Sequence, residues 1–138
     1  MEFLAFLAEA EGMFRQVHLF AEKIPAFRSV CTMVIPSKAE PSEYADHGVI
    51  ISIALDAELR KPIDSDKKSL GISLLLRHTR GVWLAEADVG WSGENIGWDS
   101  FDSKEAQAKS IDEIVSMTPS LVDWLGKRFR EEVAKFSK

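Results

Sequence analysis

The stretch that decides the fold runs from Leu70 to Asp102 and reads LGISLLLRHTRGVWLAEADVGWSGENIGWDSFD. Ile72, Leu74 and Leu76 recur at every second position, which is the pattern of a strand with one buried face. A polar break at 79–81 contains a glycine, and a second alternating run follows it. Two such runs across a short break predict a β-hairpin. The second run places five residues on one face: Trp83, Ala85, Ala87, Val89 and Trp91.

A long helix and two more strands are predicted before the hairpin. Residues 2–24 carry apolar side chains at steps of three and four, which predicts an amphipathic helix, and Pro25 ends it. The run Arg28–Ile35 is apolar and β-branched, so we expect a strand there. Alternation returns from Val49 to Leu59 and predicts another strand. Between them, Pro36–Gly48 is rich in proline and acids and is interpreted as a long surface loop.

The sequence after the hairpin predicts a short strand and two helices. Ile96–Phe101 is the expected strand. Asp102 and Glu105 have the spacing of a capping box, which predicts a helix from Asp102 to about Met117. Thr118-Pro119 has the pattern of another helix start, because proline at the first helical position loses no hydrogen bond. The final helix is expected to bury Val122, Leu125, Phe129, Val133 and Phe136.

These elements predict one α+β domain covering residues 1–138. We expect an antiparallel sheet of three to five strands in a meander, packed on one face by a long N-terminal helix and two C-terminal helices. The strand pattern places Trp83 and Trp91 against the helices, whereas Glu86 and Asp88 point to solvent.

Composition limits the classes of partner. The net charge of −5 disfavours non-specific binding to nucleic acid or to an anionic membrane. No run of eighteen apolar residues occurs, so we expect no transmembrane helix. The only cysteine, Cys31, lies in an apolar run, which indicates a buried thiol. The first dozen residues lack the basic start of a signal peptide, and we therefore expect a cytoplasmic location.

The chain carries no recognisable catalytic or cofactor-binding motif. There is no G-x-S-x-G elbow, no glycine-rich phosphate loop and no H-E-x-x-H or EF-hand pattern. The three histidines, His18, His47 and His78, are widely separated in the sequence. We therefore expect no cofactor, no metal site and no enzymatic activity.

Acidic residues supply the one geometric signal for a site. Because core positions face core positions, the hairpin is expected to pair Leu76 with Ala85. The same register sets Ser73 opposite Asp88, and pairing with the preceding strand sets Asp56 beside Ser73. Four acids then share the sheet face away from the helices: Asp56, Glu58, Glu86 and Asp88.

Two interpretations of this face compete. The outer face of an antiparallel sheet is normally polar, so solvation alone would explain four acids. The acidity continues past the strands, however: between Trp83 and Glu113 there are eight acids and two lysines, whereas Lys127–Lys138 holds five bases and two acids. Such asymmetry favours steering toward a basic partner. Trp98 follows the hairpin among small and polar residues, where an aromatic side chain is typical of an interface anchor.

The leading functional prediction is a non-enzymatic binding protein, most concretely a toxin-neutralising immunity protein, that uses the acidic hairpin face and the Trp91–Asp102 loop against a basic protein partner. The alternative is a small-molecule-binding or catalytic α+β domain with a pocket between the first helix and the sheet. A structural role in a homo-oligomer, through an edge strand or the first helix, is a third possibility, and the sequence leaves the oligomeric state open. The predicted partner-binding residues are Asp56, Glu58, Glu86, Asp88, Glu94, Trp98 and Asp99.

Overall fold

The computed structural model describes residues 2–36, 49–95 and 97–136. The predicted loop Pro36–Gly48 therefore lies, apart from Pro36, outside the described residues. In chain order the elements are α1 (Glu2–Glu22), β1 (Phe27–Pro36), β2 (Val49–Leu59), β3 (Ser69–Thr79), β4 (Val82–Ser92), β5 (Asp99–Ala108) and α2 (Ile111–Phe136). Within the described ranges, neither helix has the apolar length that a membrane crossing requires.

The five strands form one antiparallel meander in the order β1-β2-β3-β4-β5. β3 and β4 form the predicted hairpin, and Leu76 lies opposite Ala85, as expected. The two turn residues, Arg80 and Gly81, have φ of 54° and 79°. Positive φ at both positions is the requirement of a type I′ turn, whose twist suits a tight hairpin. The turn and the apolar alternation therefore specify the same register.

Both helices pack on one face of the sheet, and the core lies between the two layers. Trp91 is buried there, as predicted, whereas Trp83 is only half-buried and stacks on the His78 ring at 4.4 Å between centroids. The prediction of two buried tryptophans is thus confirmed for Trp91 and only partly for Trp83. The largest fully buried side chains are Phe6, Phe14, Ile53, Leu55, Leu70, Ile72, Leu74, Leu76, Ile114, Leu121, Leu125 and Phe129.

The prediction of three helices is wrong, because β5 occupies the segment that carries the capping-box pattern. Asp102 lies within β5, opposite Val89 of β4, and its carboxylate accepts a hydrogen bond from Arg128 Nε at 2.8 Å. The helix starts later, where the Glu113 backbone N–H donates to Ser110 Oγ at 3.3 Å. Pairing with β4 and contact with α2 therefore override the local capping signal at Asp102.

Pro119 does not start a new helix but lies inside α2. A proline in a helix interior removes one backbone hydrogen bond and costs about 3 kcal/mol. The preceding residue, Thr118, is fully buried, and its hydroxyl donates to the Ile114 carbonyl at 2.9 Å. Ile114 and Leu121, on either side of the proline, are both buried in the core. We infer that packing of this continuous apolar face offsets the proline defect.

The expectation of a buried thiol is also wrong, because Cys31 is exposed. In β1 the neighbouring positions Val30 and Thr32 pair with buried residues of β2 and share the helix-facing side. Cys31 lies opposite Asp56 on the other face of the sheet. The apolar run around Cys31 predicted the strand correctly. It did not reveal which residues face the helices, because both faces of this edge strand carry apolar residues.

Candidate binding groove on the open sheet face

Three neighbouring rows of residues form the candidate site on the face of the sheet turned away from both helices, which is called the open face below. The first row contains Cys31, Asp56, Gly71, Gly90 and Ser100. The second contains Met33, Ala54, Ser73, Asp88 and Ser103, and the third contains Ile35, Ser52, Leu75, Glu86 and Glu105. The rows bring acids from β2 and β4 onto one surface, as the sequence predicted.

Trp98 turns this surface into a groove of about 500 Å³. A Cβ on Gly71 would lie only 2.8 Å from Trp98 Cζ3, so the absence of a side chain at Gly71 makes room for the indole ring. Gly90, directly opposite Gly71, gives the same room to the backbone of Asp99. Glycines inside strands often mark such a close approach. The indole remains 45% exposed and therefore forms part of the groove's accessible wall.

Three carboxylates line the groove: Asp56, Glu86 and Asp88. Asp88 is buried rather than solvent-exposed, which corrects the sequence prediction, and it accepts a hydrogen bond from Ser100 Oγ at 3.0 Å. Asp56 lies opposite Gly71, two positions from the predicted neighbour Ser73. The predicted register between β3 and β4 is right, so Ser73 does lie opposite Asp88.

Two carboxyls of the groove have raised pKa values. Burial raises the pKa of Asp56; a hydrogen bond with Ser69 opposes the rise, and the charge of Glu58 adds to it. Burial also raises the pKa of Glu86, and the neighbouring Asp88 carboxylate raises it further. Since desolvation and like charge both disfavour the ionised form, a cation entering the groove would stabilise these carboxylates.

Arg77 is the one cationic side chain among the described residues lining the groove. Its charge lowers the pKa of Glu86, although burial and the nearby acids outweigh it. The Arg77 Nε–H is buried and has no hydrogen-bond acceptor within the described part of the chain. A buried donor without an acceptor is destabilising, so Arg77 lowers the stability of this part of the sheet.

The other predicted partner-binding residues do not join the groove. Glu58 shares the open face but lies near the end of β2, where Arg28 Nε is 3.4 Å away and Ser29 Oγ donates to it at 3.3 Å. Glu94 forms a 2.7 Å ion pair with Lys68, which lowers the pKa of the Glu94 carboxyl. Asp99 lines a separate hollow at the end of the sheet, together with Lys67, Trp91 and Lys135.

Sequence reasoning missed Gly71, Arg77 and Glu105 as parts of this surface. Glu105 lies opposite Glu86, but its capping-box spacing assigned it to a helix. Arg77 is an ordinary polar position of an alternating strand, and nothing local marks it. Gly71 did carry a signal, because an isolated glycine in a strand pattern indicates close approach of another group.

Replacing Glu86 with glutamine should stabilise the protein at neutral pH. The raised pKa means that the folded chain holds the proton more strongly than the unfolded chain, so Glu86 makes stability fall as pH rises through its pKa. Glu86→Gln should therefore raise the free energy of unfolding at pH 7 by less than about 1 kcal/mol, since the carboxylate is partly exposed. Below about pH 4, where carboxyls protonate, the difference from wild type should vanish. Urea denaturation across pH measures both results.

Glu94→Gln is the matched control with the opposite sign. Because Lys68 lowers the pKa of Glu94, the ionised carboxylate stabilises the fold at pH values above those where carboxyls ordinarily titrate. This stabilisation is lost as the pH falls. Glu94→Gln should therefore be no more stable than wild type at pH 7. A Glu86→Gln protein that unfolds more easily than wild type at pH 7 would contradict the assignment of Glu86 as a poorly compensated acid.

A second hollow, of about 400 Å³, lies beside α1 and the edge strand β1. Its lining includes Glu11, Arg15, His18 and Val34. The His18 Nδ1 lies 2.8 Å from Thr32 Oγ1, while Nε2 lies 3.3 Å from Glu22. The alternative function predicted from the sequence needs a pocket between the first helix and the sheet, and this hollow is the place where such a pocket could lie. That alternative stays a prediction. Among the described residues, no three His, Cys, Asp or Glu side chains converge as a metal site.

The chain matches no protein-family model, no curated protein and no solved structure.

Proposed function

We propose that this protein is a non-enzymatic binding protein whose open-face groove receives a basic segment of a partner protein. The observation that carries the proposal is that Asp56, Glu86 and Asp88 line one groove with Trp98, while Arg77 is the only cationic side chain in its described lining. Carboxylates with raised pKa values favour a cationic ligand, because its charge supplies what the fold does not.

A protein segment suits this groove better than a simple cation. Trp98 offers an exposed aromatic ring beside the acids, on which an arginine side chain can stack while it pairs with a carboxylate. Leu75 and Ile35 add apolar wall for the aliphatic part of a long side chain.

Binding is favoured over catalysis by the chemistry of the groove. Asp88 is already held by Ser100, and no histidine or cysteine belongs to the described lining. A carboxyl with a raised pKa would suit a general acid, but the hydroxyls of the described lining, Ser52 and Ser73, have no histidine beside them to act as a base. A toxin-neutralising immunity protein in the cytoplasm is the most concrete form of the proposed function, since an acidic surface suits capture of a basic toxin.

Affinity capture with matched variants tests the proposal. Immobilised wild type should retain a basic protein from cytosolic extract, identified by mass spectrometry, and Glu86→Gln should retain much less of it. Glu9→Gln is the control, because Glu9 is an exposed acid on α1 and its replacement changes net charge equally. Equal retention by both variants, or retention of acidic proteins only, would refute the groove as the binding surface.

Truncation of Trp98 gives a separate kinetic prediction. Trp98→Ala should weaken the captured complex by about 2 kcal/mol if the indole is an anchor, and mainly by faster dissociation. The protein should remain folded, since Trp98 is 45% exposed and lies outside the hydrophobic core cluster. Surface plasmon resonance measures both rates. An unchanged dissociation rate would show that the indole lies outside the contact.

A further inference from the structure

β1 is an edge strand whose apolar side chains are exposed on both faces. Met33 and Ile35 on the open face are 45% and 47% exposed, and Val34 on the helix-facing side is 38% exposed. These are three consecutive large apolar residues on one strand. An edge strand also presents backbone donors and acceptors that can pair with another strand.

Within the described residues, β1 lacks the features that usually protect an edge. From Ser29 to Ile35 it contains no charged residue, and its register irregularity lies at its start, between Phe27 and Ser29. The other edge of the sheet, β5, differs: it carries Asp99, Asp102, Lys104 and Glu105, and its pairing with β4 contains a register shift. Charges and bulges discourage strand addition, so β1 is the edge available for it.

We propose that β1 pairs antiparallel with β1 of a second copy of this chain, joining two sheets into one of ten strands. A two-fold axis perpendicular to the sheet relates the two strands. If odd-numbered residues pair with odd-numbered ones, the open faces of both copies lie on the same side of the joined sheet. Centred at Thr32, it sets Cys31 opposite Met33 and Val30 opposite Val34 of the second copy. The smaller Cys31 then faces the larger Met33, each Val30 faces a Val34, and the charged Arg28 lies outside the paired segment Ser29–Ile35.

Three observations favour a second copy as the occupant. The uncharged segment is self-complementary under the two-fold, so two chains of net charge −5 meet where neither carries charge. Beyond the uncharged strand ladder, the hollow beside Val34, of about 400 Å³ and lined also by the opposite charges of Glu11 and Arg15, gives the second copy's side chains room for further contact. Such contact matters because a stable interface needs about 800 Å² from each partner. The charged β5 edge disfavours further addition, so assembly closes at a dimer.

The proposed dimer is independent of the proposed function, although the two are compatible. The groove extends over β2, β3 and β4, and only Ile35 of β1 contributes to its lining. The two-fold axis would place both grooves on the same side of the ten-stranded sheet. A dimer could thus bind two basic segments at once, which strengthens overall affinity when the partner carries both.

Sedimentation of matched variants tests the dimer. Wild type should sediment with the mass of two chains, whereas Met33→Lys and Val34→Lys should each give the mass of one chain, since a charge on the seam faces its apolar neighbours. Ile63→Lys is the control, because Ile63 is 50% exposed but lies in the connection between β2 and β3. It should remain a dimer. Circular dichroism confirms that each variant is folded.

A spin label on Cys31 tests the register, because this exposed thiol is the only cysteine. With the axis at Thr32, the two Cys31 Cα atoms lie within about 10 Å, from about 5 Å between strands and about 3.3 Å of rise per residue. Strong dipolar broadening of the nitroxide spectrum is expected. Three results would overturn the proposal: a wild-type monomer at every concentration, a dimer that the lysine variants leave intact, or a dimer without broadening. A monomer that gains a strand from another protein would assign the edge to that protein instead.

Discussion

Replacing Glu86 with lysine should weaken binding of the basic partner at least about 100-fold, since like charges brought together at an interface cost several kcal/mol. The new ammonium would lie next to Asp88 along β4 and opposite Glu105 on β5, where it can pair with their carboxylates. The substitution therefore neutralises the groove as well as repelling the partner. The same pairing should keep the chain folded. Stopped-flow association at several salt concentrations should show a slower on-rate with a flatter salt dependence.

Glu9→Lys is the matched control for this charge reversal. Glu9 is exposed on α1, on the helix side of the molecule, and the change in net charge is identical. Its on-rate should fall only slightly, through the weaker long-range field. If Glu86→Lys and Glu9→Lys slow association equally, net charge rather than the groove controls binding. Asp88 is unsuited to this test, because it is buried and holds Ser100.

Replacing Phe129 with alanine should lower the free energy of unfolding by about 3–5 kcal/mol, the usual cost of emptying a large aromatic core site. Phe129 is fully buried on α2, and its ring centroid lies 6.3 Å from that of Phe20 and 6.0 Å from that of Phe27. The ring thus joins α2 to the end of α1 and to the start of β1. Equilibrium urea denaturation measures the change.

Met117→Ala is the control on the same helix. Met117 is exposed, so its truncation should change stability by less than about 0.5 kcal/mol. A Phe129→Ala protein as stable as the Met117→Ala protein would contradict the packing of α2 on the sheet. A loss much smaller than expected, with compensating movement of Phe20, would show that the site can collapse around the cavity.

The strands and the first helix were predictable because their signals are local and repeated. Alternation in β2, β3 and β4 fixes which face is buried, and the turn at Arg80-Gly81 agrees with the hairpin register. The apolar positions at steps of three and four in α1 likewise specify its buried face. Each of these elements has a local pattern that agrees with its tertiary contacts.

The C-terminal region was mispredicted because its local signals oppose its contacts. The β5 sequence DSFDSKEAQA has few strand-forming residues, and it forms a strand because β4 offers an edge and α2 offers Arg128 for Asp102. Thr118-Pro119 has the local pattern of a helix start, yet Pro119 lies inside α2, and buried residues of this single helix lie on both sides of it. Such outcomes depend on neighbours distant in the sequence, which local patterns do not reveal.

The candidate site was predictable only in part, because strand alternation is a local pattern whereas the depth of the groove is not. Strand parity alone placed Asp56, Glu86 and Asp88 on one face. The depth of the groove was not predictable, because it arises from Trp98 folding back over Gly71 after a turn. Burial of Asp88 follows from that turn as well, since Ser100 lies just beyond it.

The most direct test of the groove maps where a cationic peptide contacts the protein. We would titrate the ¹⁵N-labelled protein with a short arginine-rich peptide and follow its amide and indole resonances by NMR. The groove proposal predicts the largest shifts at the Trp98 indole N–H and at the amides of Ser73 and Glu86, with much smaller shifts in Glu86→Lys. Shifts concentrated at the exposed acids of α1 or at Asp112 and Glu113 of α2, with the Trp98 indole unmoved, would contradict it.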